Sequence, residues 1–288
     1  MNKKYVIVNE KGGVGKSSTA VHLAVGLAKR GRKVLAIDLD PQGNTSHFFT
    51  GIIKHQRGLA SGLIGLLTAE EIALPTRYQG LDIIPGGPEL VETNTKLIGE
   101  FCREFKLKNL LEGFADKYDN LVIDTAPTRS NLTVNAIVAA NSAIIAVHPG
   151  TWDLHGFQSC LENINSIRTS CKVEIKIGLL LSRMTRNKVS KDAETMLRKH
   201  FPSLVFRQTI PESTKIQEAL GRQLTAFEHT PDHAAAQAFT NFLNEIISYE
   251  QVQRVARNGI SCNGYTCASR NRCGTGTGCT TCASNPRT

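Results

Sequence analysis

The sequence lacks any uninterrupted apolar run long enough to cross a bilayer. Its longest apolar stretch, residues 134–147, is broken by Asn135, Asn141 and Ser142, whereas a membrane-spanning helix needs about 20 consecutive apolar residues. The N-terminus has no apolar segment followed by a small-residue cleavage site, because two lysines lead directly into a strand-like run. We therefore expect a cytoplasmic protein with no membrane partner.

Acidic residues are missing from the C-terminal end, where the cysteines are concentrated. Residues 258–288 contain three arginines, no Asp or Glu, and five of the eight cysteines: Cys262, Cys267, Cys273, Cys279 and Cys282. A secreted disulfide scaffold would spread its cysteines through the fold, so that class is excluded. The composition changes to Gly, Thr, Ser, Asn and Cys without periodicity. We predict one domain over residues 1–257 and a low-complexity, disordered tail over 258–288.

The first 257 residues alternate strand-like and helix-like segments. Strand-like runs lie at residues 5–9, 34–38, 81–84, 121–124, 143–147, 176–181 and 205–206. Helical patterns include residues 17–30, 153–171, 188–200 and 232–257. Near-continuous apolar strands that alternate with helices are typical of a parallel sheet covered on both faces. We therefore predict a doubly wound α/β fold, in which ligands bind at the carboxyl ends of the strands.

A glycine-rich segment, the phosphate loop, lies at residues 10–18 between the first strand and the first helix. After Glu10 it consists of Lys11, Gly12, Gly13, Val14, Gly15, Lys16, Ser17 and Ser18. Backbone N–H groups of such a loop, together with the positive end of the following helix, bind phosphate groups. We expect Lys16 to reach the β- and γ-phosphates and the Ser17 hydroxyl to bind Mg²⁺. The common pattern has glycine where this chain has Glu10.

Acidic residues end two later strands. Asp38 and Asp40 end the second strand, and Asp124 ends the fourth. Mg²⁺ is usually held by one or two carboxylates together with phosphate oxygens, and another group must orient the attacking water in a nucleoside triphosphatase. A single aspartate at a strand end is more often a helix cap. Three of them, in a chain that also has the phosphate loop, predict a Mg²⁺-dependent phosphate site.

The motifs KGGVGKSS, IDLDPQGN and IDTAP occur in that order, and in this the chain resembles the deviant-Walker ATPases of the ParA/MinD superfamily, most of all ParA partition ATPases. The resemblance runs from residue 1 to about residue 257. It implies that ATP and Mg²⁺ are the cofactors and that ATP binding forms a sandwich homodimer. By resemblance, Lys11 reaches the partner's nucleotide, Asp40 positions the hydrolytic water and Pro211 joins the nucleotide site. Asp38 and Asp124 match the acids near Mg²⁺.

The resemblance also assigns two switch segments. Residues 38–46 correspond to switch I and residues 124–131 to switch II. Switch II usually has the sequence Asp-x-Pro-Pro, but Ala126 replaces the first proline here, and Arg129 is an unusual charge in this segment. We therefore expect that the coupling between nucleotide state and partner binding differs in detail.

A basic region follows the sixth strand. Residues 183–207 carry a net charge of +5. The two acidic residues are Asp192 and Glu194, and the seven basic residues are Arg183, Arg186, Lys188, Lys191, Arg198, Lys199 and Arg207. Such a run of basic residues is equally compatible with a DNA-binding surface and with a solvent-exposed helix face, and the sequence alone leaves both possibilities open. In ParA proteins this region forms a non-specific DNA surface. By that resemblance we assign Arg183, Arg186, Lys188, Lys215 and Arg222 to DNA binding.

The resemblance implies a partition or cargo-positioning function. The ATP dimer would bind DNA non-specifically and associate with the nucleoid, and hydrolysis would release it. Hydrolysis is expected to be slow until a ParB-like or cargo-adaptor protein stimulates it, since P-loop enzymes that lack an arginine finger are slow.

Two alternatives remain from the sequence. A MinD-like membrane positioner needs a terminal amphipathic helix with a basic face, and the end of the last helix has only a weak version of it in residues 252–257. An iron–sulfur carrier needs a Cys-x-x-Cys pair, and Cys279 and Cys282 have that spacing. Because the pair lies in a low-complexity segment, we favour an incidental tail.

Overall fold

Seven strands form one sheet in the computed structural model, which describes residues 2–149 and 154–257. The strands are β1 Lys3–Val8, β2 Val34–Leu39, β3 Leu74–Pro75, β4 Leu81–Ile84, β5 Asn120–Thr125, β6 Ser142–Val147 and β7 Lys176–Leu181. Their spatial order is β3-β4-β2-β5-β1-β6-β7. Every neighbouring pair is parallel except β3 and β4. The predicted doubly wound α/β fold is confirmed.

Helices lie between the strands and also after the last strand, β7. They are α1 Lys16–Ala28, α2 Asn44–Thr50, α3 Leu59–Leu63, α4 Ala69–Ile72, α5 Glu89–Lys96, α6 Lys106–Leu110, α7 Asn131–Ala139, α8 Leu154–Ser170, α9 Lys188–His200, α10 Thr214–Gly221, α11 Ala226–His229 and α12 Ala234–Arg257. Short 3₁₀ turns lie at Leu97–Gly99, Arg103–Phe105 and Phe114–Lys117. Side-chain caps fix where two of the helices begin, because Ser130 accepts from the Thr133 N–H and Asn187 from the Ser190 N–H.

The core lies on both faces of the central strands. Consecutive residues, whose side chains point to opposite faces, are both buried: Val6 and Ile7 of β1 have no exposed surface, and neither does Leu121 of β5, while its neighbour Val122 is 1% exposed. Burial on both faces explains why the central strands β1, β2 and β5 are apolar along most of their length. Because all three strands run in the same direction, their carboxyl ends meet at one edge of the sheet. Asp38 and Asp124 lie at that edge, paired in register between β2 and β5.

The expected strand at residues 205–206 is wrong, and the seventh strand lies elsewhere. Val205 makes only an isolated bridge with Leu179 of β7. The chain passes β7 there and then continues to a second isolated bridge, between Met184 and Pro211. The seventh strand is Leu74–Pro75, which is antiparallel to β4 at the edge of the sheet. A two-residue edge strand that contains proline has no periodicity from which to predict it.

The described residues fall into two units, residues 2–243 and residues 244–257. The described part of the second unit is the end of α12, residues 244–257. Within the described ranges, no helix is long and apolar enough to cross a membrane. The predicted tail, with its five cysteines, lies outside the described residues, so the boundary after residue 257 stays a prediction.

Candidate functional site

The phosphate loop connects the end of β1 at Val8 to the beginning of α1 at Lys16. Gly13 and Gly15 have φ angles of 72° and 89°, in the left-handed region that favours glycine. A Cβ on Gly15 would lie 2.7 Å from the Ser182 Oγ. Glycine is therefore required at position 15 both by backbone conformation and by the close approach of the loop after β7.

Lys16, the first residue of α1, is held inside the loop. Only 6% of its surface is exposed, and its ammonium donates to the Lys11 carbonyl oxygen at 2.9 Å. Burial lowers the pKa of Lys16, and the negative charges of Asp124 and Asp40 oppose that effect. The cation thus lies between the loop backbone and the acids at the strand ends, where a bound phosphate group would meet it.

Asp38 and Asp124 are fully buried. The Asp38 Oδ2 accepts from the backbone N–H and the hydroxyl of Ser46, both at 2.7 Å, and its Oδ1 accepts from the Asp40 N–H at 3.0 Å. The Asp124 Oδ2 accepts from the Thr45 hydroxyl at 2.8 Å. The Asp124 Oδ1 is buried with no hydrogen-bond partner. One carboxylate is therefore fully satisfied, and the other has an oxygen available for a ligand.

These surroundings fit a divalent cation. Burial raises the pKa of both carboxyl groups, and repulsion from Asp38 raises the pKa of Asp124 further. The Ser17 side chain lies near enough to Asp124 to lower that pKa in part. Two buried like charges and an orphaned carboxylate oxygen favour a hard cation with oxygen ligands. Ser17 and Asp124 would hold Mg²⁺ here, with Asp38 beside them.

Asp40 directly follows the last residue of β2 and lines the cavity beside the phosphate loop. It is 5% exposed, and its Oδ1 accepts from the Gln42 N–H at 2.9 Å. This hydrogen bond fixes the carboxylate at the beginning of switch I. Asp40 lines the cavity described next, so its position suits a group that orients a water molecule near the phosphates.

A cavity of about 410 Å³, within the usual range for small-molecule sites, is lined by Lys16, Ser17 and Asp40, whereas the buried Asp38 and Asp124 are not part of its lining. The phosphate loop and the switches form one side, and the segments after β7 form the other. Its lining residues are Gly12, Gly13, Gly15, Lys16, Ser17, Ser18, Asp40, Gln42, Asn44, Pro127, Ser182, Arg183, Ile210, Pro211, Glu212, Ser213, Ile216, Gln217 and Leu220. The apolar side chains lie on the α10 side, opposite the polar loop.

Most of the residues predicted for the nucleotide line this cavity, including Pro211. Val14 is 2% exposed and lies outside the lining, so its predicted contact through the backbone N–H stays a prediction. Lys11 also lies outside the lining. Its N–H donates to the Asn9 side chain at 2.9 Å, and its carbonyl accepts from Lys16. Its role across a dimer stays a prediction.

Arg183 was assigned to a DNA surface, but the structure places it on the phosphate loop. Its guanidinium donates to the Gly13 carbonyl and to Glu212, both at 2.6 Å, and it lines the cavity. Arg183 has a φ of 55°, in the left-handed region that non-glycine residues seldom adopt. The sequence contained no signal for this contact, because Gly13 and Arg183 are 170 residues apart.

The other basic residues lie in two kinds of surroundings. Arg186 and Lys188 are exposed where α9 begins, and Arg222 is exposed at the end of α10. Lys215 pairs with Glu218 at 2.8 Å. Arg198 is bound to Glu194 and to two backbone carbonyls. The DNA-binding assignments stay predictions, and the exposed cations favour Arg186 and Lys188.

The sequence also missed the side chains that hold the acids and the wall opposite the loop. Thr45 and Ser46 of α2 bind Asp124 and Asp38, and Ile216 and Leu220 of α10 line the cavity. Spacing within α10 shows only an amphipathic helix, which is equally compatible with core packing.

A glycine-rich loop between a strand and a helix, with two buried acids on the adjacent strand ends, defines a P-loop nucleotide-binding protein. The family described as an AAA domain matches residues 2–177. The chromosome-partitioning ATPase Soj of Treponema pallidum is 31% identical over 256 residues, which cover 86% of this chain and 98% of that protein. The chain belongs to the ParA/MinD superfamily of P-loop ATPases, as its motifs indicated.

Two solved structures share the fold at lower identity. The ATP complex of McdA from Cyanothece is 22% identical with a TM-score of 0.78, covering 86% of this chain and 96% of that one. Cobyrinic acid a,c-diamide synthase of Mycobacterium smegmatis, with bound ATP analogue and magnesium, is 23% identical with a TM-score of 0.77, covering 88% and 98%. Such different activities on one fold mean that function must be argued from the site.

Proposed function

We propose that this chain is a ParA-type positioning ATPase, which binds ATP and Mg²⁺ in the cavity beside the phosphate loop. The observation that carries the proposal is that Lys16 and Asp40 line one side of that cavity, with the buried Asp124 near enough for its charge to act on Lys16. A cation, a water-orienting acid and a metal-binding acid are the groups that phosphoryl transfer to water requires.

Each group has a separate task in this proposal. The loop amides and the Lys16 ammonium bind the phosphate oxygens, and the apolar side chains of Ile210 and Ile216 contact the nucleoside. Ser17 and Asp124 hold the metal ion, which when bound neutralises charge on the β- and γ-phosphates. Asp40 orients the attacking water. Catalysis is then positioning and charge neutralisation without a covalent intermediate.

The relatives named for partition suggest what the turnover is for. ATP would stabilise a sandwich homodimer in which Lys11 contacts the partner's nucleotide, and hydrolysis would release it. A ligand can shift an equilibrium only through its different affinity for the two states. The triphosphate supplies that difference if it contacts both subunits. Turnover would be slow until a ParB-like or cargo-adaptor protein stimulates it.

The exposed cations where α9 begins support non-specific DNA binding by the dimer. Arg186 and Lys188 lie together there, and a dimer would present each of them twice. DNA affinity falls as the salt concentration rises, and each phosphate contact contributes roughly 0.9 to the magnitude of the slope of log affinity against log salt, which we call the salt slope. Four contacts would thus account for about 3.6 of that slope.

The test is retention of the protein on random-sequence DNA at several salt concentrations, with ATP, with ADP and without nucleotide. The proposal predicts that the wild type is retained with ATP but neither with ADP nor without nucleotide. The double variant Arg186→Ala with Lys188→Ala should show a smaller salt slope. Arg57→Ala with Lys96→Ala is the matched control, because it removes the same charge from side chains that pair with Glu71 and Glu92 elsewhere. Retention that is the same with and without ATP would contradict the proposed DNA surface. An equal loss of retention in both double variants would also contradict it.

A further inference from the structure

Two of the positions at which the motifs depart from their usual patterns, Glu10 and Arg129, form one ion pair. Glu10 begins the phosphate loop, and Arg129 belongs to switch II. The Arg129 Nε donates to the Glu10 Oε1 at 2.6 Å. The Glu10 side chain is 24% exposed and that of Arg129 is 54% exposed. The pair therefore joins two segments 119 residues apart at a partly buried position.

Ser159 of α8 completes the pair. Its hydroxyl donates to the Glu10 Oε2 at 3.3 Å, and its hydroxyl and carbonyl oxygens accept from the Arg129 guanidinium. We call Glu10, Arg129 and Ser159 the Glu10 cluster. Both oxygens of the Glu10 carboxylate are bound within the cluster, and neither Glu10 nor Arg129 lines the cavity. The cluster thus holds the carboxylate beside the loop, turned towards α8.

The cluster lies close to the lysine of the phosphate loop. The charges of Glu10, Arg129 and Lys16 all act on the buried Cys160 thiol, the residue after Ser159. Burial is the main reason that the pKa of Cys160 rises to about 12, so the thiol stays neutral.

A carboxylate at the beginning of a phosphate loop opposes the purpose of the loop. The positive end of α1 and the Lys16 ammonium attract phosphate groups, whereas an unpaired Glu10 would repel a triphosphate. Nearby like charges act over several ångströms, and more strongly near a protein surface than in bulk water. A cation that is bound to Glu10 cancels this repulsion.

We propose that Arg129 is a positioning residue for nucleotide binding: it neutralises Glu10, keeps that carboxylate out of the cavity, and so ties switch II to the phosphate loop. This rests on the proposed function. Arg129 acts through Glu10 rather than on the phosphates, because its guanidinium binds Glu10 and Ser159 and lies outside the cavity lining. Its effect on the nucleotide therefore depends on the presence of the Glu10 charge.

The test is a double-mutant cycle on MgATP affinity, measured by calorimetry with the full chain. Arg129→Ala should weaken MgATP binding by about fivefold to tenfold, because it leaves Glu10 unpaired. Glu10→Gln should bind as tightly as the wild type or more tightly. Combining Glu10→Gln with Arg129→Ala should restore affinity to within about twofold of Glu10→Gln alone.

Three further measurements keep the result specific. The loss in Arg129→Ala should shrink as salt rises, since a charge repulsion is screened. Arg57→Ala, the matched control for removing an arginine that pairs with a glutamate, should leave MgATP affinity unchanged. Arg129→Lys should rescue part of the loss, because lysine keeps the charge without the planar fork that also binds Ser159.

The outcomes separate this inference from the proposed function. A wild-type protein that does not bind MgATP overturns both. A wild-type protein that binds MgATP, together with an equal loss in Arg129→Ala and in the double variant, overturns the inference alone and makes Arg129 a direct phosphate ligand. Unchanged affinity in all variants also overturns it, since the pair would then be local packing.

Discussion

Asp38 and Asp124 lie directly opposite each other on β2 and β5, and both are fully buried. Asp38 has partners on both oxygens, whereas the Oδ1 of Asp124 has none. The protein therefore keeps two like charges together in its interior, with one oxygen unsatisfied. Such an arrangement costs stability, and a bound cation relieves the cost.

Replacing Asp124 by asparagine should stabilise the protein without Mg²⁺ and weaken the Mg²⁺ dependence of ATP binding. The raised pKa of Asp124 means that the folded state binds more protons than the unfolded state above the ordinary aspartate range. Its ionisation therefore costs stability as pH rises through that window. Thermal unfolding of Asp124→Asn should show a gain at pH 8, of about 1.4 kcal/mol for each pKa unit relieved, and less at pH 5.

The control for that experiment is Asp192→Asn, which removes a charge from the exposed surface of α9. It should change stability little at either pH. A gain in Asp124→Asn that is the same at pH 5 and pH 8 would contradict the buried-charge explanation.

Replacing Asp40 by alanine should separate binding from turnover. ATP binding should stay near the wild-type level, because Lys16 and the loop amides bind the phosphates. Hydrolysis should fall by about a hundredfold or more, since a positioned acid or base contributes at least that factor. Asp40→Asn is the matched variant, because its side-chain oxygen can still accept from the Gln42 N–H. The prediction is tested by measuring phosphate release and ATP affinity for each variant. Unchanged hydrolysis in both variants would show that Asp40 does not orient the attacking water.

Replacing Arg183 by alanine should weaken ATP binding more than DNA retention. Arg183 connects the Gly13 carbonyl to Glu212 across the cavity, so its loss frees the loop from the opposite wall. We expect about a tenfold loss of ATP affinity, the usual scale for a charged hydrogen bond. Arg186→Ala, three residues further along, should leave ATP affinity unchanged. The opposite pattern in the two variants would return Arg183 to the DNA surface.

His22 should make the protein less stable in mild acid. Its Nδ1 must carry the proton, because it donates to the Ser18 carbonyl at 2.7 Å, while its Nε2 accepts from the Ala226 N–H at 2.9 Å. The ring also stacks on Phe239, with the centroids 3.8 Å apart. Burial lowers the pKa of His22 to about 4. The folded state therefore holds a neutral imidazole that the unfolded state protonates below about pH 6.5.

Stability contributed by His22 should be complete above about pH 6.5 and should decline as pH falls towards 4. At pH 5 the loss should be about 2 kcal/mol. Urea unfolding of the wild type and His22→Gln at pH 7 and pH 5 measures it. The wild type should be more stable at pH 7, and its advantage should shrink by roughly that amount at pH 5. An advantage that is equal at both pH values would contradict a neutral buried imidazole.

Much of the site could be predicted because its parts are local in the sequence. The phosphate loop, Asp38 and Asp124 each follow an apolar strand, and parallel strands bring their carboxyl ends to one edge. Each of these groups could therefore be assigned from its own neighbours along the chain. The two switch segments, which rest on the same strand ends and on the family resemblance, stay predictions.

The rest depends on contacts between distant segments. Arg183 lies in a segment with the composition of a basic surface, and yet its side chain binds the Gly13 carbonyl. Ile216 and Leu220 have the spacing of any amphipathic helix, and Glu10 meets Arg129 only because β1 and β5 are adjacent in the sheet. The short strand Leu74–Pro75 forms because β4 offers an unpaired edge. No local pattern encodes these contacts, since tertiary packing creates them.

The most direct test of the proposed function is the molar mass of the purified protein with saturating MgATP, measured by light scattering after size exclusion. The hydrolysis-deficient Asp40→Ala variant keeps the nucleotide intact during the measurement, and Lys16→Ala is the control that should not bind it. The account predicts a dimer for Asp40→Ala with MgATP, and a monomer for the same protein without nucleotide and for Lys16→Ala. A monomer for Asp40→Ala at saturating MgATP would contradict it.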